Sequence, residues 1–259
     1  MRILDNMPVT IRQTLMDMGG ITSFTLQFSK DFFKPPFEAR EILNQCYQLG
    51  YRSLFLVSIA GFIIGMVMTL QLRPTMLRFG SEALLPSMVS IAIIREIGPV
   101  LTALICAGKI ASGIGAVLGS MRVTEQIDAM TISGANAFNY LVVTRVIATT
   151  LTVPLLVFYA DAIALAGSFI AVNLNMNLNL TLFLSDAVGA LTFQDVVPAT
   201  IKTFFFGFAV GIVGCYQGYN AKRGTTGVGE AANSAVVVAS LFIFIIDLFT
   251  VQITQLFVG

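Results

Sequence analysis

The sequence predicts an all-α integral membrane protein, with an N-terminal interfacial helix, about five transmembrane helices and a short polar helix on the cytoplasmic side. Three observations carry this. Of 259 residues, 56% are apolar and 11% charged, where a soluble domain carries about 25% charged residues. Apolar runs of span length recur along the chain. Between two of them lies a short polar segment whose apolar residues recur at helical steps.

Residues 1–35 form the predicted interfacial helix. Ile3, Leu4, Met7, Ile11, Leu15, Met18 and Ile21 recur at near-helical spacing among Arg2, Asp5, Arg12 and Asp17, a pattern that suits a helix lying on a membrane and also one packed on a partner. Pro35 and Pro36 break the pattern, because neither can donate a helical hydrogen bond. The first thirty residues show no basic tip, compact apolar block and cleavage site, so no removable signal peptide is expected.

Residues 36–259 form the predicted transmembrane domain. The first span is read as about Leu54 to Leu72, ending at Arg73 and Pro74, with Gly61 and Gly65 spaced for close helix approach. The second, about Leu84 to Leu118, exceeds the roughly 20 residues a bilayer needs and must tilt, kink at Pro99 or project into water. The polar segment 119–134 follows, with Met121, Val123, Ile127, Met130 and Ile132 on one face and Arg122, Glu125, Gln126 and Asp128 on the other. The third span covers about Leu141 to Val172, kinked or broken near Pro154. The asparagine-alternating stretch 173–181 looks like a strand or low-complexity turn and is taken as an exposed loop, not a site. The fourth span covers Val197 to about Tyr216 and the fifth Ala235 to Phe257. Gly224, Gly227 and Gly229 are read as a flexible turn, and Gly207 with Gly211 as candidates for a dimer seam.

Orientation follows from basic residues in short loops. With the N-terminus inside, Arg2, Arg12, Lys30, Lys34, Arg40, Arg52, Arg122, Arg145, Lys222 and Arg223 are cytoplasmic. Arg73, Arg78 and, at an edge, Lys202 face out. Arg95, Glu96, Lys109, Asp161 and Asp247 then remain within the membrane. A charge facing lipid costs about 2.5–3.5 kcal/mol on insertion scales, so these side chains should meet a cavity or one another. Asp247 is the expected partner of Arg95 or Lys109. Pinning helices together and lining a polar cavity are both open readings of this set.

Several chemistries are excluded or disfavoured. There is no histidine, hence no Ser-His-Asp triad and none of the commonest zinc ligand. Ala107 to Ile110 lacks the upstream glycine and the Ser/Thr of a P-loop. The net charge of +1 and the lack of basic runs argue against nucleic-acid binding. Cys46, Cys106 and Cys215 are odd in number and unmatched in spacing, so they read as small core residues. No cofactor is expected in this chain, and no catalytic residue.

Three ordered motifs carry a resemblance: Ile94-Arg-Glu-Ile-Gly-Pro-Val-Leu-Thr-Ala-Leu-Ile-Cys-Ala-Gly-Lys109, then Met121-Arg-Val-Thr-Glu-Gln-Ile-Asp-Ala129, then Gly218-Tyr-Asn with Gly227-Val-Gly-Glu-Ala231 and Ala235-Val-Val237. From about residue 40 onward the chain resembles the MlaE family of permeases, the membrane subunits of ABC transporters that work with MCE-domain proteins. The resemblance implies a homodimer in the bacterial inner membrane that moves glycerophospholipid and maintains outer-membrane lipid asymmetry. It implies an MlaF-like ATPase that binds the ATP and docks on the helix at 119–134, an MlaB-like STAS protein and a periplasmic MlaD-like MCE hexamer. Arg95 and Glu96 then match the charged pair near the lipid cavity, with Lys109 and Asp247 as further cavity candidates. Arg122, Glu125, Gln126 and Asp128 fall in the ATPase-coupling helix. This chain has Val117 and Lys109 where many relatives carry an acidic residue and an arginine. The rival readings are an ion-coupled secondary transporter, in which Glu96 or Asp247 carries a proton, and a membrane scaffold. Five spans without a visible inverted repeat speak against the first.

Overall fold

A computed structural model describes residues 9–32, 38–174 and 177–258, and every secondary-structure element among them is helical. Five helices are long and apolar enough to cross a membrane: Ala39–Arg78, Glu82–Val123, Asn139–Asn173, Phe193–Tyr219 and Thr225–Leu256. They are called here the first to fifth spans. An N-terminal helix, Val9–Asp31, precedes them.

The first span is one helix of 40 residues, about 60 Å at 1.5 Å per residue, twice the hydrocarbon thickness. It starts fifteen residues before Leu54 and runs through Pro74 rather than ending there. A proline removes one hydrogen bond of the ladder, and neighbouring helices make that tolerable in a span. Arg73 is tied across the following turn to Glu82, Nε to Oε1 2.9 Å.

Small residues set the packing of the first span on the third. A Cβ on Gly61 would lie 2.9 Å from the carbonyl oxygen of Ala160, and one on Gly65 would run into that of Ala164. Gly167 returns the contact against the carbonyl of Phe62. Thr69 Oγ1 donates to Ser168 Oγ at 2.7 Å beside them. In lipid, where apolar burial drives little, such backbone approach and interhelical hydrogen bonds hold helices together. Pro154 leaves the third span unbroken.

Gly207 and Gly211 serve the same purpose inside the chain. A Cβ on Gly207 would lie 2.6 Å from the carbonyl oxygen of Thr149, and Gly211 sits against Thr149 and Val146. Their small surface is spent on the third span, which corrects their reading as a dimer seam.

The second span runs 42 residues and contains two wide π-helical turns, Ile93–Ile97 and Ala107–Ala111. In the first, the Gly98 N–H reaches back five residues to the Ile93 carbonyl. Pro99 follows, with no N–H to offer Arg95. Such turns often mark functional positions, and here they hold Arg95, Glu96 and Lys109.

The polar segment 119–134 is two pieces rather than one helix. The second span continues to Val123, the chain turns at Thr124 and Glu125, and a separate helix covers Gln126–Ile132. Glu125 has φ of 58°, the left-handed conformation that stops a helix. Ile127 is buried in the core.

The described residues of the asparagine stretch between the third span and the next helix form a largely exposed loop, as expected; it leads into a helix, Leu180–Gly189, with Asn173 Oδ1 accepting from the Leu178 N–H at 2.9 Å and Asn179 capping the helix through the Thr181 N–H. Asparagine side chains satisfy backbone donors in this way, and Asn173 and Asn179 do so here. One further expectation changes. The residues read as a flexible glycine turn are mostly helical. Gly224 takes φ of 95° and the fifth span starts at Thr225. Gly227 is close against the Lys222 carbonyl.

The N-terminal helix packs on the bundle through Ile21, Phe24 and Phe28, all buried. The ring of Phe24 lies 5.0 Å from Phe138, 5.6 Å from Tyr216 and 6.0 Å from Tyr219. Residues 1–8, the side chains of 9–18, and Pro35 with Pro36 lie outside the described residues.

Candidate functional site

Lys202 lies nine residues beyond Phe193 in the fourth span, about 14 Å along the helix, and is 2% exposed. It is therefore deep in the bundle, not at an outer edge as the sequence reading placed it. Its Nζ donates to Glu96 Oε2 of the second span at 2.7 Å and to Asp247 Oδ1 of the fifth at 2.9 Å. One ammonium group so joins three spans. A lysine at this depth is tolerable only with such partners.

Asp247 thus pairs with Lys202 and with neither Arg95 nor Lys109. Arg95 Nη1 instead meets Asp195 Oδ1 at 3.5 Å. Asp195 also closes a capping box at the start of the fourth span, where its Oδ2 accepts from the N–H and Oγ1 of Thr192 at 3.1 and 2.6 Å. Adjacent residues on a helix diverge by about 100°, and in the wide turn Arg95 and Glu96 do serve different partners.

Asp161 of the third span is buried close by, and its Oδ1 has no hydrogen-bond partner among the described residues. Gly98 makes room for it, since a Cβ there would collide with that oxygen.

Beside the cluster runs an apolar groove between the fourth and fifth spans. Its volume is about 580 Å³, with walls of Phe193, Val197, Ile201, Phe205 and Ile253. Gln194, Pro198, Thr250 and Thr254 line both this groove and the smaller cleft that holds Arg95, Glu96, Asp195 and Lys202. The two share these residues, so a large apolar wall adjoins fixed charges.

Lys109 does not join this group. It lies in the second wide turn, thirteen residues and about 20 Å along the span from Glu96, lines a different cavity and donates to the carbonyl of Arg52. Arg122 and Asp128 bridge the break in the polar segment at 2.5 Å, both on the surface. Glu125 and Gln126 are exposed there. Gly119 lies against Ala221 and Val228, so this segment and the start of the fifth span share one end of the bundle.

Lys202 and Asp195 are the members that the sequence reading missed. The signal was the pattern Thr192-x-x-Asp195, a capping box that starts the fourth span four residues before Val197 and moves Lys202 inward.

A family model described as Permease MlaE matches residues 42–253. The chain is 35% identical over 240 residues to a probable ABC transporter permease protein of Rickettsia bellii, covering 93% of this chain and 92% of the relative. It is 34% identical over 210 residues to a probable ABC transporter permease protein of Synechocystis, covering 81% and 80%. It is 32% identical over 208 residues to the chloroplastic protein TRIGALACTOSYLDIACYLGLYCEROL 1 of Arabidopsis thaliana, covering 80% of this chain and 59% of that protein. With five span-length helices and these relatives, the chain belongs to the MlaE permease family and is a multi-pass membrane permease subunit of the ABC transporter type.

Proposed function

We propose that this permease moves glycerophospholipid between the bacterial inner membrane and a periplasmic MCE protein, and so maintains outer-membrane lipid asymmetry. The observation that carries the reading is the apolar groove of about 580 Å³ beside the cleft of Arg95 and Glu96. A phospholipid needs a dry wall for acyl chains and fixed charges for its headgroup, and both are present side by side. The name of the Arabidopsis relative is that of a glycolipid, which agrees with a lipid cargo.

In this reading two copies of the chain form a homodimer. ATP is bound and hydrolysed by a separate MlaF-like ATPase that docks on the segment 119–134, attended by an MlaB-like STAS protein. An MlaD-like MCE hexamer receives or delivers lipid at the opposite face. Arg95 and Glu96 meet the headgroup, Lys202 and Asp247 hold Glu96 in place from within the bundle, and the chain itself holds no cofactor.

The test is photocrosslinking from benzoylphenylalanine at Ile201 or Phe205 in the assembled complex, with mass identification of the adduct. A glycerophospholipid adduct that changes on inactivating the ATPase site supports the reading. Adducts no richer than those from Ile63, an exposed position on the first span, overturn it. Sensitivity to proton-gradient collapse, with indifference to the ATPase site, would instead indicate an ion-coupled transporter.

A further inference from the structure

A second cavity, of about 240 Å³, lies between the first and second spans, with the start of the third at its base. Arg52, Lys109 and Arg145 line it together with Gln45, Gln48 and Ser53, and the other walls are aliphatic or glycine. Among the described residues no carboxylate lines it. Among the described residues none of the three cations is ion-paired. What holds two of them is backbone: Lys109 Nζ donates to the Arg52 carbonyl, and Arg145 Nη1 to that of Leu141 at 2.8 Å. Glu41, one turn away on the first span, is engaged by the Gln45 amide at 2.7 Å.

Three like charges around one partly enclosed space repel one another, and more strongly where the dielectric falls. An anion in the cavity reverses the sign of that energy. The chemistry of the donors is that of phosphate recognition, with two guanidinium forks and an ammonium point charge.

Depth identifies the source of the phosphate. Tyr47 and Tyr51, stacked with centroids 5.5 Å apart, are both exposed on the first span beside Arg52. The apolar run starts two residues later, at Leu54. Exposed tyrosines at the start of an apolar run sit at headgroup level, and basic pockets between spans at that level suit anionic headgroups. The volume is below the roughly 300–1,000 Å³ of a site for a whole drug-sized ligand, so it fits a headgroup whose chains stay in the bilayer.

We propose that Arg52, Lys109 and Arg145 form a binding site for the phosphate group of an anionic lipid, separate from the Lys202 cluster. The site holds whether the lipid is cargo or a resident of the permease, so it does not depend on the transport reading.

The test uses the purified, delipidated complex in native mass spectrometry, titrated with phosphatidylglycerol or phosphatidylcholine of matched chains, and separately with inorganic phosphate. Phosphatidylglycerol should be retained about tenfold better than phosphatidylcholine. Arg52→Gln, Lys109→Gln and Arg145→Gln should each weaken its retention about fivefold. Arg40→Gln, an exposed basic change on the same helix, should leave it unchanged. Competition by millimolar inorganic phosphate, lost in Lys109→Gln, would support the phosphate site and name a soluble source. Unchanged phosphatidylglycerol and phosphate binding in Arg52→Gln and in a melting-competent Lys109→Gln/Arg145→Gln variant would overturn the proposal.

Discussion

Lys202 Nζ lies 2.9 Å from Asp247 Oδ1 and ties the fourth span to the fifth, while its bond to Glu96 reaches the second. The exposure is graded: the lysine side chain is 3% exposed, Asp247 17% and Glu96 41%. The cation is almost wholly buried at the edge of the cleft, and of its two carboxylates it is Glu96 that opens into it. Position and charge therefore cannot be separated by removing one member alone.

Lys202→Met should destabilise the protein strongly, because it leaves two carboxylates without their common partner. Breaking a buried pair costs about 3–5 kcal/mol. The melting temperature in detergent should fall well below wild type. In the triple variant Lys202→Met/Glu96→Gln/Asp247→Asn, no uncompensated charge remains and most of the loss should be recovered. A triple variant no more stable than the single one would mean that the cluster is not held by charge.

Gly65→Ala should loosen the first span from the third. Its added Cβ meets the Ala164 carbonyl, which is backbone and cannot swing aside. Overpacking of this kind costs roughly 1–3 kcal/mol. Gly108→Ala is the control, since nothing lies within 4 Å of a Cβ there. Equal melting temperatures for the two variants would remove the tight-packing account of the Gly61 and Gly65 pair.

The fold was legible because span length and apolar composition are imposed by the bilayer, and the Gly61/Gly65 spacing spoke directly of close packing. Element ends were less legible. Pro74 looked like a stop, but in a long span the surrounding ladder carries one missing bond. The segment 119–134 kept helical periodicity through a break that resides in one backbone angle, at Glu125, with no sequence mark such as glycine. At the site, Glu96 and Asp247 stood out as charges in apolar runs. Lys202 did not, because its span was started too late, and the pairing of Asp247 is a three-dimensional fact that no spacing encodes. Lys109 stood out equally, yet serves another cavity.

Phe24→Ala should release the N-terminal helix from the bundle. The ring is 7% exposed and touches three aromatic rings from two other parts of the chain. Losing a buried phenylalanine costs roughly 3 kcal/mol or more, and each aromatic pair adds up to about 1.5 kcal/mol. Limited proteolysis should then cut between residues 19 and 32 while leaving the five spans intact. Wild-type protection of that stretch would show that other contacts hold the helix.

Glu125 combines a backbone role with a charge, and a substitution series separates them. Its φ of 58° ends the second span and lets the Arg122–Asp128 bridge form across the break. A β-branched residue strains that conformation, asparagine tolerates it and lysine keeps a comparable backbone cost while reversing the charge. If the carboxylate contacts the ATPase subunit, Glu125→Asn should weaken copurification of that subunit and Glu125→Lys should weaken it further, by about tenfold or more, because a charge set against its partner typically costs a few kcal/mol. Glu125→Val should instead lower the melting temperature of the isolated permease. The five spans should remain inserted in all three variants. Glu125→Lys with wild-type copurification and wild-type lipid transfer would move the coupling contact to the neighbouring surface at Lys222 and Glu230, whose exposed ion pair at 3.3 Å lies at the same end of the bundle.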